Sequence, residues 1–331
     1  MVSNLSIKLN SISKMNEISK ESVTWLEIDE ASEQQRIDNF LIKHLKGVPK
    51  SHIYRILRSG EVRVNSGRID ATYRLKIGDK IRIPPIRLAK RAMDAKQDRP
   101  VVSLLSGATL YEDDALLIIN KPSGMAVHGG SGISRGVVEQ LRLERPEVKF
   151  LELVHRLDRE TSGVLMLAKK RSALTILQDV LREGGMDKRY LTLVKGKWLD
   201  QKRNVRLALN KYLTDSGERR VSVQEGGKAS HTIFHLRKAW QDFTLLEAEL
   251  KTGRTHQIRV HLAHLGYPIA GDDKYGDFTL NKLLQKRGLK RMFLHAFKVT
   301  IKHPLTGEML HLEAPLPDEL QHFLQYLDNN A

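Results

Sequence analysis

A chain of 331 residues with 40% hydrophobic content is long enough for two domains, each with its own core. A formal net charge of +16 and a pI near 9.8 point to a polyanionic partner, and the absence of cysteine excludes disulfides, thiolate zinc sites and cysteine nucleophiles. No run of about eighteen apolar residues offers a membrane span, and the polar stretch from Met1 to Lys20 lacks a secretory core, so the cytoplasm is the expected compartment.

Residues 1–22, rich in Ser, Asn and Lys, predict a mobile tail. Ser32-Glu33-Gln34-Gln35 has the form of a capping box. It predicts a helix through Ile37, Phe40, Leu41 and Leu45 that Gly47 stops. Pro49 suits the first turn of a second helix, with Ile53, Ile56 and Leu57 on one face, Arg55 and Arg58 turned outward, and Gly60 at its end. Val62 and Val64, then Ile81 and Ile83, alternate as strands, with turns at Asn65-Ser66-Gly67 and Gly78-Asp79. Residues 23–85 therefore predict a small helix-helix-strand domain. From Arg36 to Pro84 there are twelve Lys or Arg against four Asp or Glu, a net of +8, which is half of the +16 of the whole chain. Charges of one sign repel, and phosphate relieves that repulsion. Arg36, Lys50, Arg55, Arg58 and Arg63 are accordingly candidate RNA contacts. Residues 86–102, with Arg87, Lys90, Arg91, Lys96 and Arg99, predict a basic linker.

Residues 103–331 predict a second domain of mixed strands and helices. Leu116 to Ile119 is a buried strand, Asn120 to Gly124 a turn, and His128 to Gly136 a glycine-rich loop without the Gly-Lys-Ser/Thr ending of a phosphate loop. An amphipathic helix runs from Arg171 to Glu183 and ends at Gly184-Gly185. Arg189–Val194, Thr232–Leu236, Phe243–Leu250 and Phe293–Ile301 alternate, which predicts half-exposed, mainly antiparallel sheet rather than a doubly wound one. Thr255 can cap a helix from His256, with Ile258, Leu262 and Leu265 inward and Gly266 as its stop. The fold class is α+β.

The stretch that carries chemistry is His155-Arg156-Leu157-Asp158-Arg159-Glu160-Thr161-Ser162-Gly163, entered by Leu153-Val154 and left by Val164-Leu165-Met166-Leu167, both read as short strands. A carboxylate between Arg156 and Arg159 is held ionised, as a nucleophile or base must be. The same pattern also suits a structural ion pair at a strand-loop-strand corner, with Thr161 and Ser162 satisfying loop amides. It is not a kinase loop: the spacing is one residue too long, and Asp277-Phe278-Thr279 is no Asp-Phe-Gly. His256, His261 and His264 lack metal-ligand spacing, so no metal is expected. Asp158 with Glu160 is a poor glycosidase pair, because sequence neighbours seldom face one another across a substrate.

His-Arg-Leu-Asp-Arg-Glu-Thr-Ser-Gly resembles the catalytic signature of the RluA-type family of RNA pseudouridine synthases, and companion segments follow in order over nearly the whole chain. The likeness is greatest to members acting on large-subunit (23S) ribosomal RNA. It implies that Asp158 is the essential residue. Thr252-Gly253-Arg254-Thr255-His256-Gln257-Ile258-Arg259 is similar to the motif whose last Arg pairs with that Asp. Lys188-Arg189-Tyr190 is similar to the segment whose Tyr stacks on the target base, and Phe293-Leu294-His295-Ala296 to the strand whose Leu packs on the nucleotide. Arg156 resembles the residue that enters the helix when the uridine leaves it, and Ile258 is a further substrate-pocket residue. The leading domain resembles the S-four-like (αL) RNA-binding domain, by its helix pair and by Gly60-Glu61-Val62-Arg63-Val64-Asn65. The resemblance thus implies a pseudouridine synthase that flips a uridine out of large-subunit ribosomal RNA and needs no cofactor. A monomer is expected. The competing reading is a non-catalytic RNA-binding protein of ribosome assembly or translation control, against which only the Asp158 constellation argues.

Overall fold

The computed structural model describes residues 22–45, 48–86, 105, 107–129, 135–215 and 217–330. The predicted tail up to residue 21, the Gly47 helix stop, the linker beyond residue 86 and residues 130–134 of the glycine-rich loop lie outside the described residues. The chain divides into two units, residues 1–100 and 101–331.

The first unit contains β1 (Thr24–Glu27), α1 (Ile37–His44), α2 (Lys50–Arg58), β2 (Arg63–Val64) and β3 (Lys80–Ile83). The strands form an antiparallel sheet in the order β1-β3-β2. Ile37, Phe40 and Leu41 of α1 and Ile53, Ile56 and Leu57 of α2 pack with Val62, Val64, Ile81 and Ile83 in one core, as the periodicities predict. The predicted capping box is corrected. Ser32 closes a single 3-10 turn (Glu30–Ser32), and α1 begins at Ile37. Backbone pairing decides this: Gln34 N–H donates to Leu75 O, Leu75 N–H to Gln35 O, and Ile37 N–H to Tyr73 O. Tyr73 O, together with Ala71 O accepting from Asp38 N–H, satisfies the helix start that Ser32 does not reach.

The second unit contains β4 (Thr109–Glu112), β5 (Leu116–Lys121), α3 (Val137–Glu144), β6 (Glu152–Leu153), β7 (Ser162–Ala168), α4 (Arg171–Glu183), β8 (Asp187–Lys195), β9 (Lys202–Leu213), β10 (Arg219–Val223), β11 (Lys228–Ala239), β12 (Phe243–Leu250), α5 (Gln257–His264), α6 (Phe278–Lys286), β13 (Leu294–Lys302), β14 (Met309–Glu313) and α7 (Asp318–Asn329). One sheet runs β10-β9-β11-β12-β8-β13-β7-β5-β4, with β14 on β13 and β6 on β7. Its pairings are antiparallel except β13 with β7, so the sheet is mixed and mainly antiparallel. β13 lies between β8 and β7, and this brings three distant parts of the chain together at the sheet centre. Their closeness depends on Gly163, whose φ is +112° and where a Cβ would stand 2.1 Å from Ala296 O.

α5 starts one residue later than predicted. His256, not Thr255, is its cap residue, in a left-handed conformation with φ +53° and no side-chain cap bond. Gln257 orders this corner instead. Its Oε1 accepts from Arg254 N–H and Thr252 Oγ1, and its Nε2 donates to His231 O and Thr232 Oγ1. Residues 257–262 are all buried, so α5 is a core helix rather than an amphipathic surface one.

Two histidines of this core set an acid limit on stability. His261 bonds Ser230 Oγ at 2.7 Å and His295 bonds Ser162 Oγ at 2.8 Å, and both rings are fully buried. Burial pushes both down to about 4 from the ordinary 6.5. The unfolded chain therefore binds more protons between pH 6.5 and 4, so stability is full above 6.5 and falls as pH drops through that window. The expected loss at the acid end is on the order of 3 kcal/mol per ring. Urea midpoints at pH 7, 5.5 and 4.5 check this, and a midpoint constant across the window contradicts it.

Candidate active site

The segment between β6 and β7 holds Asp158 at one end of the sheet centre. Its backbone is gripped from the turn after β5. Lys121, with no exposed surface, donates from Nζ to Pro122 O at 2.7 Å, Met125 O at 2.8 Å and Arg159 O at 3.0 Å. Burial pulls this ammonium down to about 7. Gly124 N–H also donates to Arg159 O, Ser123 Oγ donates to Glu160 O, and Thr161 N–H donates back to Asp158 O. On the far side Arg291 donates to Glu160 O at 3.2 Å and to Ser162 Oγ at 2.8 Å, and pairs with Glu319 of α7. Ser162 thus bonds His295 and Arg291, not the loop amides expected from sequence.

Asp158 Oδ2 accepts from Arg259 Nη1 at 3.1 Å. Neither sequence neighbour does this work. Arg156 and Arg159 are exposed, and Arg159 turns to Gly124 O and Glu160. The expectation that the flanking arginines hold Asp158 is therefore corrected: side chains one and two residues away on an irregular loop diverge, while α5 aims Arg259 inward. The guanidinium is only 5% exposed and is itself held by Asp272, through two bonds of 2.7 Å. Burial opposes its charge, but Asp272 and Asp158 outweigh it and raise its pKa. Asp272 has no exposed surface and also accepts from Lys274 and Tyr275 N–H. His256 Nε2 stands 3.7 Å from Asp158 Oδ2, and its Nδ1 bonds Tyr275 Oη at 2.8 Å. Tyr275 also lies under Arg259, 5.2 Å from ring centroid to guanidinium carbon.

A cleft of about 1600 Å³ opens over this pair. Tyr190, Ile258 and Leu294 line it and are each less than a tenth exposed, and Arg156 lines it from the solvent side. Tyr190 on β8 pairs in register with Ala296 of β13, and Leu294 with Thr192. Burial, with the Asp158 charge second, raises the Tyr190 hydroxyl pKa. The structure thus gathers Asp158, Arg259, Tyr190, Ile258, Leu294 and Arg156 around one cleft. Sequence reading missed Lys121, Asp272, His256 and Arg291. Lys121 had a signal, a lysine closing an apolar strand; Asp272 had none that set it apart from its neighbour Asp273.

The five candidate RNA contacts all lie in the first unit. Arg36 is paired with buried Asp38 at 2.7 Å and Arg55 with Glu61 at 3.1 Å. Lys50 and Arg58 are exposed on α2, and Arg63 is exposed with its Nε on Gly60 O. Of the clustered histidines, His261 bonds Ser230 and His256 bonds Tyr275. Among the described residues no three His, Asp or Glu side chains are grouped to hold a metal, and no helix is long and apolar enough to cross a membrane.

Comparison with known proteins follows the same division. The RNA pseudouridylate synthase family matches residues 115–264, and the S4 domain matches residues 35–81. The ribosomal large subunit pseudouridine synthase C of Yersinia pestis is 54% identical over 306 residues, which is 92% of this chain and 94% of that protein. The protein of the same name from Haemophilus influenzae is 51% identical over 323 residues, 96% of this chain and 99% of the relative. Among solved structures, human RNA pseudouridylate synthase domain containing 4 is 26% identical with a TM-score of 0.55, covering 68% of this chain and 94% of its own.

Proposed function

The chain belongs to the RNA pseudouridine synthase family, and on that premise we propose that it isomerises uridines of large-subunit ribosomal RNA with Asp158 as the essential group. The observation that carries this is the ion pair of Asp158 with a buried, doubly anchored Arg259 at the floor of a cleft lined by Tyr190, Ile258 and Leu294. Exposed cations, Lys50, Arg58 and Arg63 among them, hold RNA through phosphates. The target uridine leaves the helix for the cleft, as an enzyme acting on a base requires, and Arg156 at the cleft's solvent side fills the place it vacates. Tyr190 stacks on the base, with Leu294 and Ile258 against it.

Asp158 either attacks the anomeric carbon or removes the neighbouring ribose proton. The bond from C1′ to N1 breaks, the uracil turns between Tyr190 and Leu294, and a bond from C1′ to C5 forms; C5 gives up its proton, N1 gains one, and where Asp158 has attacked C1′ that ester bond breaks as the C5 bond forms. Atoms and electrons balance without water, redox partner or cofactor. Arg259 fixes the direction and charge of Asp158 as the reaction proceeds. On this reading the protein acts in the cytoplasm and works as a monomer. Incubation with unmodified large-subunit ribosomal RNA followed by chemical mapping tests the proposal. Discrete new pseudouridines support it, and RNA that is bound but unmodified overturns it in favour of a binding protein.

The first unit has its own core, and so has the second. Deleting residues 1–84 is expected to leave a folded synthase unit. It should bind ribosomal RNA more weakly, with a shallower slope of log affinity against log salt, because each lost phosphate contact removes about 0.7–0.9 from that slope. Salt titrations of both forms check this; an unchanged slope means the leading unit is not the RNA anchor.

A further inference from the structure

Beside the cleft lies a second cavity of about 300 Å³. Glu160 and Asp273 line both spaces, so the two adjoin across these carboxylates. The outer wall is Phe278, the first residue of α6, with Lys282 and Gln285 one and two turns on and Lys290 beyond. Phe278 is 55% exposed and takes no part in the core that Leu284 and Leu289 build with Phe293 and Leu320. Its ring is therefore a flat apolar surface on the cavity wall, outside that core. From Phe278 to Lys290 the chain carries Lys282, Lys286, Arg287 and Lys290 and no carboxylate, and all four cations are exposed. The acceptors at the shared wall are open to a donor. Asp273 is 77% exposed in its side chain and reaches Arg259 only at 3.5 Å, and Glu160 meets Arg159 and Ser123 only at 3.5 Å each.

We propose that this cavity is a subsite for the nucleotide next to the target uridine, where an amino-bearing base stacks on Phe278 and donates to Asp273 and Glu160 while Lys282 and Lys290 hold the phosphates. The parts match a nucleotide one by one: a flat ring for a π-face, carboxylates for exocyclic amines, which uracil lacks, and rim cations for the backbone. An apolar or acidic peptide fits worse, since the first has no use for four cations and the second is repelled by the paired carboxylates. The subsite rests on the synthase reading and gives it a means of choosing among uridines by their neighbour.

The test uses the full chain and a transcript of large-subunit ribosomal RNA carrying a mapped target uridine. Phe278→Ala should weaken binding about tenfold. Lys282→Ala with Lys290→Ala should lower the single-strand salt slope by about 1.4. Neither change should alter the single-turnover rate at saturating enzyme by more than about twofold, since neither touches the reacting atoms. Each neighbour of the target is then replaced by an abasic nucleotide. For one of them the loss should be about tenfold with the wild-type protein and absent with Phe278→Ala. Additive losses at both neighbours, or a Phe278→Ala variant that binds like wild type, overturn the subsite. Failure of the wild-type protein to form any pseudouridine overturns the synthase reading instead, so the two failures are distinguishable.

Discussion

Asp158→Asn is expected to abolish pseudouridine formation while leaving RNA affinity within a few-fold of wild type. Asparagine keeps the shape of the side chain, and its carbonyl can still accept from Arg259 Nη1, which now reaches Asp158 Oδ2 at 3.1 Å. The guanidinium keeps its two bonds to Asp272, so no buried cation is stranded. What is lost is the charge, and with it both chemical roles open to the residue: an amide is neither a nucleophile toward an anomeric carbon nor a base toward a ribose proton. The rate loss should exceed about a thousandfold, more than 4 kcal/mol of transition-state stabilisation. Binding rests on phosphate contacts elsewhere and, if anything, gains from removal of an anion in the cleft. The check is chemical mapping of treated ribosomal RNA beside a binding isotherm for each protein. An active Asn variant removes Asp158 from the chemistry.

How far the sequence discloses this arrangement depends on the range of the interactions concerned. The α1 and α2 faces, the strand from Phe243 to Leu250 and the helix from Arg171 to Glu183 are legible because their periodicity is local, and the structure returns the last two with the same ends. β1 is not legible. Thr24–Glu27 is short and leaves Trp25 half exposed, and only its pairing with β3 makes it a strand. The Ser32 box fails because three long-range backbone bonds outweigh a local cap. At the site, the motif resemblance places Asp158 and Arg259 together, 101 residues apart. The residues alone pointed to Arg156 and Arg159, because sequence proximity is a poor guide to contact on an irregular loop. Asp272 was invisible for the same reason: its partner is on another element, and nothing local marks which of two adjacent aspartates, Asp272 or the exposed Asp273, turns inward.

Arg259→Met should reduce rate more than affinity, and the structure adds that it should also reduce stability. Arg259 holds two carboxylates at once, Asp158 through Nη1 and Asp272 through Nε and Nη2. Asp272 is 1% exposed in its side chain, and its remaining donors are the Lys274 and Tyr275 amides. Removing the guanidinium leaves that charge buried and unpaired, a loss of about 3–5 kcal/mol in folding. The rate effect arises separately. Without Arg259, Asp158 keeps no short side-chain bond, since His256 stands at 3.7 Å. Its aim loosens, and the field that steadies its changing charge disappears; losing one preorganised donor of this kind costs about a hundredfold to a thousandfold. Asp272→Asn separates the two effects. It removes the buried charge that Arg259 must neutralise but leaves the guanidinium against Asp158, so it should disturb stability with far less loss of rate. Arg259→Lys should recover only part of either, because one ammonium cannot reproduce a planar fork that meets two carboxylates. Single-turnover conversion of a ribosomal RNA fragment at saturating enzyme, with binding and urea unfolding followed separately, resolves the rate and stability losses. If Arg259→Met converts RNA at the wild-type rate wherever it is folded, Arg259 serves only to neutralise Asp272, and the aim of Asp158 must come from His256 and from the Lys121 grip on its loop.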